Sequence, residues 1–187
     1  MNAGPEEIRA GCAAHARHGT TTLLPTTLAA PEEMTLRMIR AVRQAQKDTT
    51  ECTIAGVHLE GPFLSPAQSG AQSPDALAQP APALWKRLLD EWPDGVRVMG
   101  AAPELPGAMA LGDALRERGV LASIAHSDAE YETCRRALEH GFSDITHIYS
   151  GCSMVHRKNG YRFGGVVEAG LLEDAFTVQV IADGRHL

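Results

Sequence analysis

The sequence predicts an α/β fold on a parallel sheet. Six short apolar runs alternate with amphipathic segments, each run is strand-length, and each is closed by a turn or breaker residue. The runs are residues 19–26 (GTTTLLPT, stopped by Pro25), 53–60 (TIAGVHLE, ended by Gly61-Pro62), 96–101 (VRVMGA), 120–126 (VLASIAH), 144–149 (DITHIY) and 176–183 (FTVQVIAD). Helices are expected at 5–18, 31–47, 82–92, 107–118, 128–140 and 166–172. The first two open on Pro-Glu-Glu, which suits N1 geometry and the positive end of the helix dipole. Ser127 or Asp128 is the expected N-cap of the fifth helix, and Gly119 and Gly141 sit where left-handed C-caps belong. Residues 61–82, rich in Pro, Ser, Gly and Gln, form the one long irregular stretch, and a loop of that length is usually functional. Strands alternating with helices imply right-handed βαβ crossovers, either in an open doubly wound sheet or in part of a (β/α)8 barrel. The first strand lacks the Gly-rich phosphate loop of a dinucleotide-binding sheet.

Length and composition narrow the class. The 187 residues fit one domain spanning 1–187, and 44% hydrophobic with 21% charged residues is ordinary for a globular chain. The net charge of −6 comes without a basic stripe, so nucleic acid is not an expected partner. No apolar stretch approaches the roughly 18 residues of a membrane span, and the N-terminus does not read as a secretory signal, so a cytoplasmic setting without membrane contact is expected. Cys12, Cys52, Cys134 and Cys152 lie far apart with no C-x-x-C pair and read as small buried hydrophobes.

The polar residues point to chemistry. Four of the eight histidines, His58, His126, His147 and His186, fall at or beside the C-terminal end of a predicted strand, and Glu60 joins them. In parallel α/β folds those ends converge on one crevice or barrel mouth. A lone strand-end histidine is more often a packed core residue; a repeat of the pattern over several strands favours a metal cluster. Glu60, His126 and His147 offer two neutral imidazoles and one carboxylate from three successive strands. That donor set suits a borderline divalent ion, zinc or iron, and leaves a position open for water. Asp183, before Gly184, reads as a turn residue.

The stretches HGTTTLLPT (18–26), GVHLEGPFLSP (56–66), AHSDA (125–129), THIY (146–149) and IADGRH (181–186) resemble the N-acetylglucosamine-6-phosphate deacetylases of the metal-dependent amidohydrolase superfamily. The resemblance runs from near residue 4 to the end. It implies a partial (β/α)8 TIM-type barrel of about six βα units and hydrolysis of the acetamide of a phosphorylated amino sugar. It further implies one divalent metal ion on Glu60, His126 and His147, and sugar binding by His186. Phosphate would be held by an arginine from the second subunit of a homodimer, Arg162 or, as the alternative, Arg157. Gln72 replaces a substrate-contacting histidine of some relatives and is expected to hydrogen-bond the sugar. Ser150 and Gly151, with Cys152, replace an Asn-Ala-Met run and are expected to meet substrate through the backbone. His58 is expected to pack beside the ligands rather than bind metal. The family's first H-x-H strand and general-base aspartate have no counterpart here, so the chain is expected to be a central segment with no assigned catalytic base. It would bind metal weakly and turn over slowly if at all. The competing expectations are another amidohydrolase acting on a cyclic amide or N-acyl substrate, and a non-catalytic fragment.

Overall fold

A computed structural model describes residues 4–186. Six parallel staves line up side by side in chain order, each followed by a crossover to the next. The first stave is β1 (Thr22–Leu23) and β2 (Thr26–Thr27); the second is β3 (Thr53–Ile54) and β4 (Val57–Leu59). They are followed by β5 (Val96–Ala101), β6 (Leu121–Ile124) and β7 (Phe142–Ile145). The sixth is β10 (Thr177–Val178). β1 pairs with β3, and the remaining strands run β2-β4-β5-β6-β7-β10, all parallel. A doubly wound sheet would reverse its strand order at a switch point. The unbroken sequential order is that of a barrel arc, and the fold is a partial (β/α)8 barrel.

Two predicted strands are each interrupted. The first breaks at Leu24-Pro25, because proline has no N–H to give the ladder. The second breaks at Ala55-Gly56, where Gly56 adopts φ 145° and the register against β5 shifts. The fifth begins two residues earlier than expected, directly after Gly141, and ends at Ile145, so THIY turns rather than extends. The sixth contracts to two residues.

The helices lie close to expectation: α1 (Pro5–Ala16), α2 (Glu32–Asp48), α3 (Pro82–Glu91), α4 (Ala108–Glu117), α5 (Tyr131–Glu139) and α6 (Val166–Leu172). Each buries a stripe at helical spacing, for example Leu36, Ile39 and Val42 on α2, and Leu111 and Leu115 on α4. Those stripes meet the outer face of the sheet, where Val57, Leu59, Met99, Ile124 and Ile145 are sealed from solvent. Gly119 and Gly141 take left-handed φ values of 67° and 91° at their helix ends. The expected cap of α5 is corrected. Glu130 occupies that position, while Ser127 Oγ accepts the Ala129 N–H at 3.1 Å and donates to Glu104 at 2.7 Å, one turn too early to cap the helix.

A hairpin escaped the sequence reading, as did two short 3-10 turns, Pro66–Gln68 and Pro74–Ala76, in the long loop. β8 (His156–Lys158) and β9 (Tyr161–Phe163) form an antiparallel hairpin around Asn159-Gly160, whose φ values of 51° and 83° are both positive. Asn-Gly is a strong two-residue hairpin signal; the polar flanks concealed it.

The inner face of the arc is polar. Ser123, Asp144 and Thr177 share one row across β6, β7 and β10. Asp144, almost fully buried, accepts from Ser123 Oγ at 2.6 Å, Thr177 Oγ1 at 2.7 Å and Gln179 Nε2 at 2.7 Å, which satisfies an otherwise costly buried carboxylate.

Candidate metal centre

Three strand tips deliver the three ligand candidates. Glu60 follows β4 directly, and His126 and His147 each stand two residues beyond β6 and β7. Both histidines have left-handed backbones, with φ 43° and 33°. Such values are uncommon outside glycine and persist only where surrounding bonds impose them. Here the His126 carbonyl accepts the Ser65 N–H at 2.9 Å, and the His147 carbonyl accepts the Ser150 N–H at 3.0 Å.

The trio converges. Glu60 Oε1 lies 2.6 Å from His147 Nε2 and 3.2 Å from His126 Nε2, and one ligand atom from each residue falls within 4.8 Å of the others. The rings meet edge to face, with centroids 4.9 Å apart. His126 Nδ1 sits 2.7 Å from the Gln68 carbonyl oxygen, and His147 Nδ1 sits 2.9 Å from that of Ser150. Carbonyls only accept, so both Nδ1 atoms carry hydrogen, and a neutral ring must turn the lone pair of Nε2 toward Glu60. Two lone pairs and a carboxylate oxygen at one point require a positive charge between them. The donor set fits a divalent cation.

Without an ion, the groups shift one another's affinity for a proton. Burial works to raise the Glu60 carboxyl, but hydrogen bonds and charge from His126 and His147 outweigh it and bring it down to about 2. Burial likewise opposes charge on His147, yet the bond to Glu60 and its negative charge leave that imidazole raised above its ordinary value.

Two glycines make room for His126. A Cβ on Gly151, where φ is 59°, would stand 2.7 Å from His126 Nδ1, and one on Gly70 would stand 3.4 Å from Cε1. His58 faces the interior from β4, and burial holds it below its usual pKa. Its Nε2 has no hydrogen-bond partner, so it packs beside the trio.

The other expected site residues divide. Gln72 is buried, its Nε2 donates to Glu60 Oε2 at 3.1 Å, and its Oε1 accepts the Ala29 N–H at 2.8 Å, leaving the amide engaged at both ends. The N–H and carbonyl of Ser150 are both bonded to His147. Gly151 lies against His126 and passes its carbonyl to the Ser127 N–H at 3.0 Å. His186 is exposed, with Nδ1 2.7 Å from Asp183 Oδ2. Asp183 also accepts the backbone N–H groups of Arg185 and His186, as a turn residue does. Arg157 and Arg162 stand directly opposite each other on the β8–β9 hairpin, both exposed. Burial pushes the thiols of Cys12, Cys134 and Cys152 up, to about 11, 12 and 11, in keeping with packing roles, while Cys52 is only half-buried.

The sequence reading missed the parts that act through the backbone or across long separations. The Gln68 carbonyl on His126 leaves no signal in residue type. Glu104 binds Ser127 Oγ and the Asp128 N–H, both at 2.7 Å, and so anchors the segment after His126. Asp144 was missed as well, though an acid inside an otherwise apolar strand is the one local sign of it.

A parallel barrel arc with a histidine–carboxylate cluster at its C-terminal mouth is a scaffold that could hold a divalent ion. The family model for the amidohydrolase family matches residues 3–172, and the chain belongs to that family. It is 34% identical over 175 residues to an N-acetylglucosamine-6-phosphate deacetylase of Lysinibacillus sphaericus, covering 91% of this chain and 43% of that protein. It is 30% identical over 173 residues to an N-acetylgalactosamine-6-phosphate deacetylase of Escherichia coli O157:H7, covering 92% and 45%. The solved N-acetyl-D-glucosamine-6-phosphate deacetylase of Mycobacterium smegmatis superposes with a TM-score of 0.87 at 32% identity, covering 97% of this chain and 46% of that one. A mutant of the same enzyme, solved in complex with N-acetyl-D-glucosamine-6-phosphate, matches with a TM-score of 0.87 at 30% identity, over all of this chain and 50% of that one. The chain thus spans less than half the length of these curated relatives. No described helix is long and apolar enough to cross a membrane.

Proposed function

We propose that the protein carrying this chain hydrolyses the acetamide of N-acetylglucosamine-6-phosphate to glucosamine-6-phosphate and acetate. The observation that carries this reading is the convergence of the His126 and His147 Nε2 lone pairs on Glu60 Oε1 at the barrel mouth, in a chain whose relatives bear that activity in their names. Glu60, His126 and His147 would hold one divalent ion, zinc or iron. Such an ion supplies an acidified water and polarises the acetyl carbonyl. In their neutral forms His126 and His147 would turn the Nε2 lone pairs to that ion, because their Nδ1–H groups are committed to Gln68 and Ser150.

In this reading His186 and the Gly151 backbone orient the sugar. Arg162, with Arg157 as the alternative, reaches the phosphate of a second subunit in a homodimer. A guanidinium fork matches a phosphate dianion, and both arginines are exposed on the hairpin, as a reach between subunits needs. The general base is unassigned within residues 4–186. We place the reaction in the cytoplasm, since a charged sugar phosphate does not cross a bilayer unaided.

Acetate release by the intact protein, measured on N-acetylglucosamine-6-phosphate and on its C4 epimer before and after chelation, tests the proposal. Release that stops with chelator and returns with zinc or iron is expected, with the gluco substrate preferred. Activity indifferent to chelation overturns the metal role, and activity confined to other N-acyl substrates overturns the substrate.

A further inference from the structure

We propose that Gln72 is a positioning residue for the metal centre: its side-chain amide fixes which oxygen of Glu60 faces the ion. The proposal rests on the reading of Glu60, His126 and His147 as that centre. The orientation of the amide is set by its surroundings. The Ala29 N–H, just beyond β2, can only donate, so Gln72 must turn Oε1 toward it, at 2.8 Å. The Gln72 NH2 group is then left facing Glu60 Oε2, at 3.1 Å. With Oε2 held there, Glu60 presents Oε1 alone to the two imidazoles. The carboxylate is thereby disposed to bind through one oxygen, and its rotation toward two-oxygen binding is resisted.

The loop that carries Gln72 grips a second ligand as well. Gln68, four residues earlier, accepts the His126 Nδ1–H through its backbone carbonyl at 2.7 Å. One irregular segment, between β4 and α3, therefore orients two of the three ligands. It is in turn tied by Gln72 to the end of the first stave. Hydrogen bonds to ligating groups set both their direction and their basicity, and losing one typically weakens metal binding by about ten- to a hundredfold.

Three substitutions separate the possibilities. Gln72→Met keeps the length and removes both hydrogen bonds. Gln72→Glu keeps the shape but sets an acceptor and a negative charge against Glu60 Oε2. Gln72→Asn keeps the amide but is one methylene too short to bridge Ala29 and Glu60. Zinc affinity is measured by competition with a chromophoric chelator, the absorption bands of the cobalt(II)-loaded chain report ligand geometry, and the metal-free melting temperature reports the fold.

The expected result is about ten- to a hundredfold weaker zinc binding in Gln72→Met and Gln72→Asn, with altered cobalt bands in both. In Gln72→Glu the cobalt bands change even where added charge offsets the lost affinity. Variants that melt with the unsubstituted chain, bind zinc within twofold of it and leave the cobalt bands unchanged overturn the positioning role while the metal centre stands. A lower metal-free melting temperature with unchanged cobalt bands assigns Gln72 to the fold alone and also overturns it. Failure of the unsubstituted chain to bind zinc or cobalt removes the metal reading itself, and this proposal with it.

Discussion

At the scale of single residues, two backbone carbonyls decide what the histidines can do. Gln68 and Ser150 hold the Nδ1–H groups of His126 and His147, so each Nε2 is available only toward Glu60. His147→Ala and Glu60→Gln should each reduce zinc affinity at least a hundredfold, read by isothermal titration, because each removes a ligand or its charge; affinity within tenfold would exclude that residue as a ligand. Gly151→Ala forces a Cβ to 2.7 Å from His126 Nδ1 at a left-handed φ. It should cost about 1–3 kcal/mol in urea unfolding and weaken zinc binding as well.

Proton linkage in the metal-free chain has two sides. The Glu60 carboxyl is lowered from 4.5 to about 2, so its contribution, on the order of 3 kcal/mol, is present above pH 4.5 and lost as pH falls toward 2. His147 is raised from 6.5, so its contribution is present below pH 6.5 and lost as pH rises through the higher folded value. Metal-free stability should therefore peak in mildly acidic solution, and saturating zinc should abolish the alkaline-side loss. Strand-end position singled out Glu60, His126 and His147 along with His58 and His186, and the fold brings the first three together. The role of Gln72 was not legible, since a bond between residues 72 and 29 leaves no local pattern.

At the scale of elements, alternation and breakers located every stave but overran several ends. DITHIY has the composition of a strand, yet His147 and Tyr149 adopt positive φ and curl the chain back. That curl brings the Ser150 carbonyl onto His147, so the overrun coincides with the site. The break in the second stave has a packing cause: a Cβ on Gly56 would overlap the Gly95 carbonyl oxygen as well as require an unfavourable φ. Gly56→Ala should cost about 1–3 kcal/mol in chemical unfolding, whereas Gly119→Ala, with open space around it, should cost less. Equal effects would show that φ alone matters at both sites. Asn159-Gly160 was readable as a hairpin turn, but HRK and YRF lack the apolar alternation that announces a half-buried pair, because all but Phe163 are exposed.

At the scale of the whole molecule, sequential strand order places Glu60, His126 and His147 at one mouth without any long-range device beyond the barrel itself. The architecture was legible from βαβ alternation, and resemblance settled barrel against open sheet. The polar interior around Asp144 was not legible, because its partners Ser123, Thr177 and Gln179 come from two other staves and the segment beyond. An ion that binds only the folded chain stabilises it by about 2.7 kcal/mol at a hundredfold excess over Kd. For a chain of this size that raises Tm by about 5–10 °C.

The most direct test of the central claim is X-ray absorption on the zinc-loaded chain. Two imidazole nitrogens at about 2.0–2.1 Å and a carboxylate oxygen at about 2.0–2.2 Å, with one zinc per chain, are predicted. Sulfur scattering, fewer than two imidazoles or the absence of stoichiometric zinc would contradict it.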